Sequence, residues 1–328
     1  MGIVAAVQIA PKFGDSMATA SLAAVAIAEA AEGGAWFAVL PESFIPGAPD
    51  YADRYVPGSP AFDAHDKLFF ESAITIPGPE TDIVGTACRE HHMMAAVGVT
   101  ERPARSGTLY NTLLWFGTDG TILGRHRKIM PTDTERVVWG SGDGTTLRTL
   151  TTEHGILGGL ICWENYMPLA RTALYAGGEQ IHIAPTMAAG GTAWVTAMRH
   201  IANEGRMWVV SPGHLLREHD LPQHLRAIGD YDEGQILNPG GSLIVDPGGS
   251  LVAGPLLDED GILYADCDAT AALIARRMFD AVGHYSRGDL FELQVAGTPF
   301  AIPIGDNDPA AALDDHVWRV PDAVEPLR

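Results

Sequence analysis

The stretch Leu157-Gly158-Gly159-Leu160-Ile161-Cys162-Trp163-Glu164-Asn165-Tyr166 limits what this chain can become more than any other. An apolar run with two glycines stops abruptly at a thiol. A polar-aromatic cluster follows, and then Pro168 opens an Ala/Leu-rich run to Tyr175. The pattern predicts a buried strand, a sharp corner and a helix. Proline suits a first helical turn, where the backbone donor is unpaired in any case. A thiol at such a corner lies near backbone N–H groups and the positive end of a helix, and both favour thiolate. A free cysteine is equally a common small core residue. From this stretch alone Cys162 is either a nucleophile or packing.

The remaining chain supplies strands and helices in an order typical of α/β proteins. Ile3 to Ile9 is a mostly apolar strand, Met17 to Glu32 an Ala-rich helix with Asp15 or Ser16 as its cap, and Trp36 to Leu40 a second strand. Strand, helix, strand within about 40 residues opens an α/β domain. A Pro/Gly-rich loop from Pro46 to Pro60 carries Tyr51 and Tyr55, and long structured loops of this kind are often functional. Helices are expected over Ala61–Ala73 and Glu80–His91, and strands over Met94–Glu101, Thr108–Phe116 and Thr121–His126. Thr118-Asp119-Gly120 makes the last two a hairpin. Further strands are read at Gln180–Ala184, Met207–Ser211, Gly241–Val245, Ser250–Ala253 and Gly261–Cys267, and helices at Ala193–Glu204 and Ala269–Met278. His214 to Gln235 is polar and His-rich and reads as an irregular surface excursion. After Phe291 periodicity fades, as in a tail that drapes or reaches a partner.

Composition narrows the partners. With 21 Lys+Arg against 41 Asp+Glu the formal charge is -20, which argues against nucleic acid and anionic membrane and suits a small substrate. The best candidate for a membrane span, Leu22 to Leu40, is broken by Glu29, Glu32 and two glycines. Three cysteines, Cys88, Cys162 and Cys267, form neither a disulfide framework nor a CxxC pair, and the N-terminus has no basic leader. A cytoplasmic location is expected. The spacing of His214, His219 and His224 puts no two of them on one helical face, so no metal is expected.

Three apolar strands each end at a chemically potent residue: Leu40-Pro41-Glu42, Gly124-Arg125-His126-Arg127-Lys128 and Leu160-Ile161-Cys162. Strand ends converge at one rim of an α/β sheet. Taken singly, Glu42 reads as a solvated loop acid, Lys128 as part of a charged face and Glu135 as a partner for Arg136. Together they have a definite use: a thiol nucleophile, a carboxylate that takes its proton and later activates water, and an ammonium that stabilises developing negative charge.

The chain resembles the nitrilase superfamily, and within it the nitrilase branch. The likeness rests on Leu40-Pro41-Glu42-Ser43-Phe44, His126-Arg127-Lys128-Ile129-Met130-Pro131-Thr132 with Glu135-Arg136, Trp139 to Gly144, and Cys162-Trp163-Glu164-Asn165-Tyr166. Gly241-Ser242, Val245-Asp246-Pro247, Ala253-Gly254-Pro255 and Val282 to Arg287 extend it, so it spans Ile3 to Phe291. Related amidases and carbamoylases more often carry Tyr or His and then Asp after the cysteine. The resemblance implies a four-layer αββα sandwich with mixed sheets and helices on the outer faces. Residues 1–291 would form the catalytic domain and 292–328 a tail for subunit contacts. It implies a catalytic set of Glu42, Lys128 and Cys162, with Glu135 orienting Lys128 and the Trp163 backbone N–H helping to stabilise the anion. Thr132, Trp163, Glu164, Tyr166 and Met187 would contact substrate. The implied reaction converts a nitrile and two waters to a carboxylic acid and ammonia through a thioimidate on Cys162, with no cofactor. The alternative is an amidase or carbamoyl hydrolase using the same residues; a non-catalytic scaffold, with the 214–235 excursion as its partner surface, is disfavoured by the intact reactive residues. The chain departs from its relatives at Met187 to Thr192, which is small and Gly-rich. Relatives commonly dimerise and many extend into spirals; here the helices from Pro168 and Ala193 would form the dimer face.

Overall fold

A computed structural model describes residues 2–187, 191–296 and 317–319. The first half of the chain builds β1 (Ile3–Gln8), α1 (Ser16–Glu32), β2 (Ala35–Val39), α2 (Tyr51–Arg54), α3 (Pro60–Ser72), α4 (Pro79–His91), β3 (Met94–Glu101), β4 (Tyr110–Phe116) and β5 (Ile122–Arg127). The second half builds β6 (Thr149–Thr152), β7 (Gly155–Gly159), α5 (Pro168–Ala176), β8 (Ile181–Ile183), α6 (Thr192–Gly205), β9 (Trp208–Ser211) and β10 (Leu215–Arg217). It continues through α7 (Gln223–Ile228), β11 (Ile236–Val245), β12 (Leu251–Leu257), β13 (Gly261–Asp266), α8 (Ala269–Arg276) and β14 (Val317–Arg319).

Two mixed sheets result. The first runs β13-β1-β2-β3-β4-β5 and the second β10-β11-β9-β8-β7-β6-β14, with β12 paired to β11. The strand period explains the stacking. Along β1, Val4 and Ala6 join the core between the sheets, with Phe37, Trp115, Leu157, Ile183 and Ile244. The alternate residues Ala5 and Val7 face α1 and α4, through Ala20, Ala23, Ile27, Val84 and Cys88. Both faces of the strand are buried, so its apolar run is nearly continuous. The second sheet is covered outside by α6, through Trp194, Met198 and Ile201 on Val209 and Leu243. Leu174 of α5 packs on Leu160. The order helix, sheet, sheet, helix is the expected sandwich.

Helix ends follow local chemistry. Asp15 caps α1 by accepting from the Ala18 N–H at 2.9 Å. Proline opens α3, α4 and α5.

One expectation fails. The 214–235 segment is not irregular: it forms β10, a 3-10 turn at Glu218–Asp220 and α7. His214, Leu215, Leu216, Leu221 and Leu225 are buried, the last three in a cluster with Tyr51, Phe62, Phe69 and Trp139. Its histidines and charges disguise a set of inward leucines whose burial outweighs them. Of the tail, Leu293 is buried against Leu147, Leu160 and α5, and β14 pairs in parallel with β6; the rest lies outside the described residues.

Candidate active site

Glu42 follows β2 across Leu40-Pro41, and its side chain is fully buried. One oxygen accepts from Asn111 Nδ2 and Lys128 Nζ, both at 2.7 Å; the other accepts from the Met187 N–H at 2.7 Å. Its backbone lies directly on Gly98 of β3. A Cβ there would stand 2.2 Å from the Pro41 oxygen and 2.8 Å from the Glu42 Cα. Only glycine lets the two backbones approach so closely.

Lys128 follows β5 and is also fully buried. Its backbone N–H donates to the Asn111 carbonyl at 2.8 Å, and its carbonyl accepts from Gly142 at 2.7 Å. Nζ donates to Glu42 and, at 2.6 Å, to Glu135. Glu135 sits on the 3-10 turn Asp133–Val137, and its Oε2 also accepts from the Thr132 N–H at 2.7 Å. The carboxylate thus closes its own turn while aiming the ammonium. Burial pulls Lys128 toward the neutral form, but the charges of Glu42, Cys162 and Glu135 outweigh it and hold the ammonium well above its usual range. For Glu135, burial and then the charge of Glu42 push the carboxyl up to about 7 against the pull of Lys128.

Cys162 opens the 3-10 turn Cys162–Tyr166 with φ at 52°, a left-handed conformation unusual for a non-glycine residue. Strain of this sort gathers at functional corners. Its N–H donates to the Pro185 carbonyl at 2.8 Å, and its Sγ accepts from Thr186 Oγ1 at 3.0 Å. The corner therefore stands where expected, but it does not by itself make a thiolate. Burial and then the charge of Glu42 push the thiol well above its usual range, while Lys128 and the Thr186 hydroxyl pull it back only in part. The enclosed site desolvates sulfur more than one helical turn can compensate. Glu42, Lys128 and Glu135 all act electrostatically on this thiol, so the three strand ends share one chamber.

The other expected residues divide. Thr132 has a buried hydroxyl with no protein partner. Met187 is buried and reaches Glu42 through its backbone. Trp163 and Tyr166 are 54% and 42% exposed, so ordinary core packing does not describe them. Their rings meet edge to face at 5.6 Å. Trp163 lines a cavity of about 320 Å³ with Met130, Pro131, Thr132, Asp133, Arg136 and Met167. Glu164 is a correction. It is 1% exposed, and its carboxylate is taken up by the Ile129 and Ile161 N–H groups and His126 Nε2, not turned to an incoming substrate.

Sequence reasoning missed Asn111, which grips Glu42, and a polar network beneath the corner. Asn165 Nδ2 donates to the Leu160 and Cys162 carbonyls at 2.8 Å, His182 bridges Asn165 Oδ1 and Glu179, and Arg171 donates to the Asn165 carbonyl. A polar residue inside an apolar strand, His182 in Ile181–Ile183, was the available signal. Among the described residues no group of three His, Cys, Asp or Glu stands in metal-binding proximity. None of their helices is long and apolar enough to cross a membrane. Cys88 and Cys267 are buried, and burial pushes the Cys88 thiol up to about 12.

Fold and site together define an αββα enzyme acting on carbon–nitrogen bonds. The sequence model for carbon-nitrogen hydrolases matches residues 3–276. An aliphatic nitrilase of Sinorhizobium fredii is 43% identical over 298 residues, covering 90% of this chain and 96% of that protein. Nitrilase 1 of Arabidopsis thaliana is 39% identical over 304 residues, covering 90% and 87%. Among solved structures, a carbon-nitrogen hydrolase from Helicobacter pylori shares the fold with a TM-score of 0.65 at 22% identity, over 84% of this chain and 92% of that one. A branch 10 nitrilase-superfamily member from Saccharomyces cerevisiae does so at 0.67 and 21%, over 87% and 96%. The chain belongs to the carbon-nitrogen hydrolase family.

Proposed function

We propose that this protein is a nitrilase, converting an organic nitrile and two waters to a carboxylic acid and ammonia. The observation that carries the reading is the buried Glu42–Lys128–Glu135 cluster acting on Cys162, in a chain 43% identical to a protein described as an aliphatic nitrilase. Cys162 Sγ attacks the nitrile carbon as its proton passes through Glu42 to the nitrile nitrogen, leaving a thioimidate. Lys128, and the Trp163 N–H in the first turn where donors are unpaired, stabilise the charge on nitrogen. A first water adds, ammonia departs and a thioester remains. A second water, deprotonated by Glu42, releases the acid and restores the thiol. Because the free thiol is held protonated, proton transfer to Glu42 belongs to the attack itself and does not precede it.

The apolar cavity beside Trp163 supports a nitrile with a hydrocarbon substituent, and aliphatic nitriles are the first to test. Residues 1–291 are assigned to the catalytic domain and 292–328 to subunit contacts. The protein acts in the cytoplasm as a homodimer or larger homo-oligomer, a reading supported by three unpaired thiols and by the exposed Trp163, Tyr166 and Leu169 around α5. The deciding experiment measures ammonia release from aliphatic, aromatic and arylacetonitriles and from each matching amide. Turnover of nitriles supports the reading. Turnover of the amides alone replaces it with an amidase.

A further inference from the structure

Lys128 and Cys162 come from different sheets: one follows β5 of the first, the other β7 of the second. Ladder hydrogen bonds act within a sheet, so neither ladder sets the gap between ammonium and sulfur. Side-chain packing between sheets tolerates sliding more readily than directed hydrogen bonds do.

One carboxylate spans this gap. Glu164 lies two residues past Cys162, and its Oε2 accepts from the Ile161 N–H at 2.7 Å. Its Oε1 accepts from the Ile129 N–H. Ile161 immediately precedes the nucleophile and Ile129 immediately follows the lysine. The third donor is His126 Nε2, at 3.1 and 3.2 Å from the two oxygens, on the strand that delivers Lys128. The other ring nitrogen, Nδ1, faces Thr146 Oγ1 at 3.2 Å. Glu164 and His126 are 1% and 2% exposed. A carboxylate only accepts, and here every neighbour donates, so the geometry has one solution.

We propose that Glu164 and His126 are a positioning pair that sets the distance between Lys128 Nζ and Cys162 Sγ by clasping the backbone on either side of that gap. The inference rests on the catalytic roles assigned above to Lys128 and Cys162, and not on the nature of the substrate. A glutamine at 164 would turn an NH₂ toward one of the two N–H donors and push one segment away. An aspartate, one methylene shorter, reaches only one of them. At position 126, glutamine keeps a donor toward Glu164 and leucine removes it.

The test compares Glu164→Gln, Glu164→Asp, His126→Gln and His126→Leu with the unaltered protein. Three readouts are needed: kcat and KM on the best nitrile or amide of the panel, the rate of Cys162 alkylation by iodoacetamide read by peptide mass spectrometry, and far-UV circular dichroism. A displacement near 1 Å costs on the order of 100-fold, so kcat should fall about 100-fold in E164Q and E164D with KM within about threefold. Cys162 alkylation should slow about tenfold or more, because Lys128 and Glu42 would no longer be aligned on the sulfur. H126Q should keep at least about tenfold more activity than H126L. Unchanged alkylation in folded E164Q overturns the proposal, as does H126L equalling H126Q. If the glutamate variants do not fold, the two His126 variants decide alone. Failure of every nitrile with turnover of amides overturns the nitrile reading only, since the alkylation readout needs no substrate.

Discussion

Glu135 stands beside both Glu42 and Lys128, and replacing it with glutamine separates the cost of its charge from its geometry. In the fold its carboxyl is pushed up from the ordinary 4.5 to about 7, first by burial and then by Glu42. An acid raised in the fold contributes stability that is complete below its unfolded value and is lost as pH rises through the folded one. Carrying this charge at pH 8 therefore costs about 3 kcal/mol relative to pH below 4.5. In Glu135→Gln the new amide carbonyl can still accept from Lys128 Nζ and the Thr132 N–H, which now share Oε2 at 2.6 and 2.7 Å. Shape is kept and the titration removed. The assay is urea unfolding of E135Q and the unaltered protein at intervals from pH 4.5 to 8. Relative to the unaltered protein, E135Q should gain about 2–3 kcal/mol across that span, most of it between the two values. Activity should move the opposite way, with kcat down at least about tenfold, because a neutral oxygen holds the ammonium more loosely. Parallel stability curves for the two proteins would refute the account of Glu135 as a charge held at a cost beside Glu42.

Three further outcomes follow from the same geometry. Gly98→Ala drives a methyl into the Pro41 and Glu42 backbone, which has no rotamer to yield; the expected loss is about 3 kcal/mol, with kcat falling with it, and full activity at unchanged stability would contradict the packing. Cys162→Ala should abolish ammonia release while leaving the melting temperature within a few degrees, since the side chain's one described hydrogen bond is that from Thr186; retained turnover would remove Cys162 from the mechanism. Analytical sedimentation should give a dimer or larger species, and a monomer at all concentrations would contradict the assembly reading.

The αββα order was legible because it depends on local patterning. Strands such as Val4–Val7 are apolar on both faces, α1 is capped at Asp15 and stopped by Gly33, and Pro168 opens α5, all within a few residues. The strand-end residues Glu42, Lys128 and Cys162 were legible for the same reason: each ends an apolar run. What the chain could not display locally was pairing across distance. Asn111 on Glu42 is a contact between residues 69 apart, and the leucines of 214–235 acquire their meaning only against Tyr51 and Trp139. The protonated state of Cys162 was hidden likewise, because a thiol's proton affinity depends on how much solvent the assembled sheets exclude and which charges they bring near. Glu164 is the sharpest case: as part of a Cys-Trp-Glu triplet it reads as a substrate contact, and only the closing of one sheet on the other turns it toward Ile129 and His126. Sequence determines which groups stand at the strand ends; burial and the meeting of two sheets determine their charges, their partners and the gap between them.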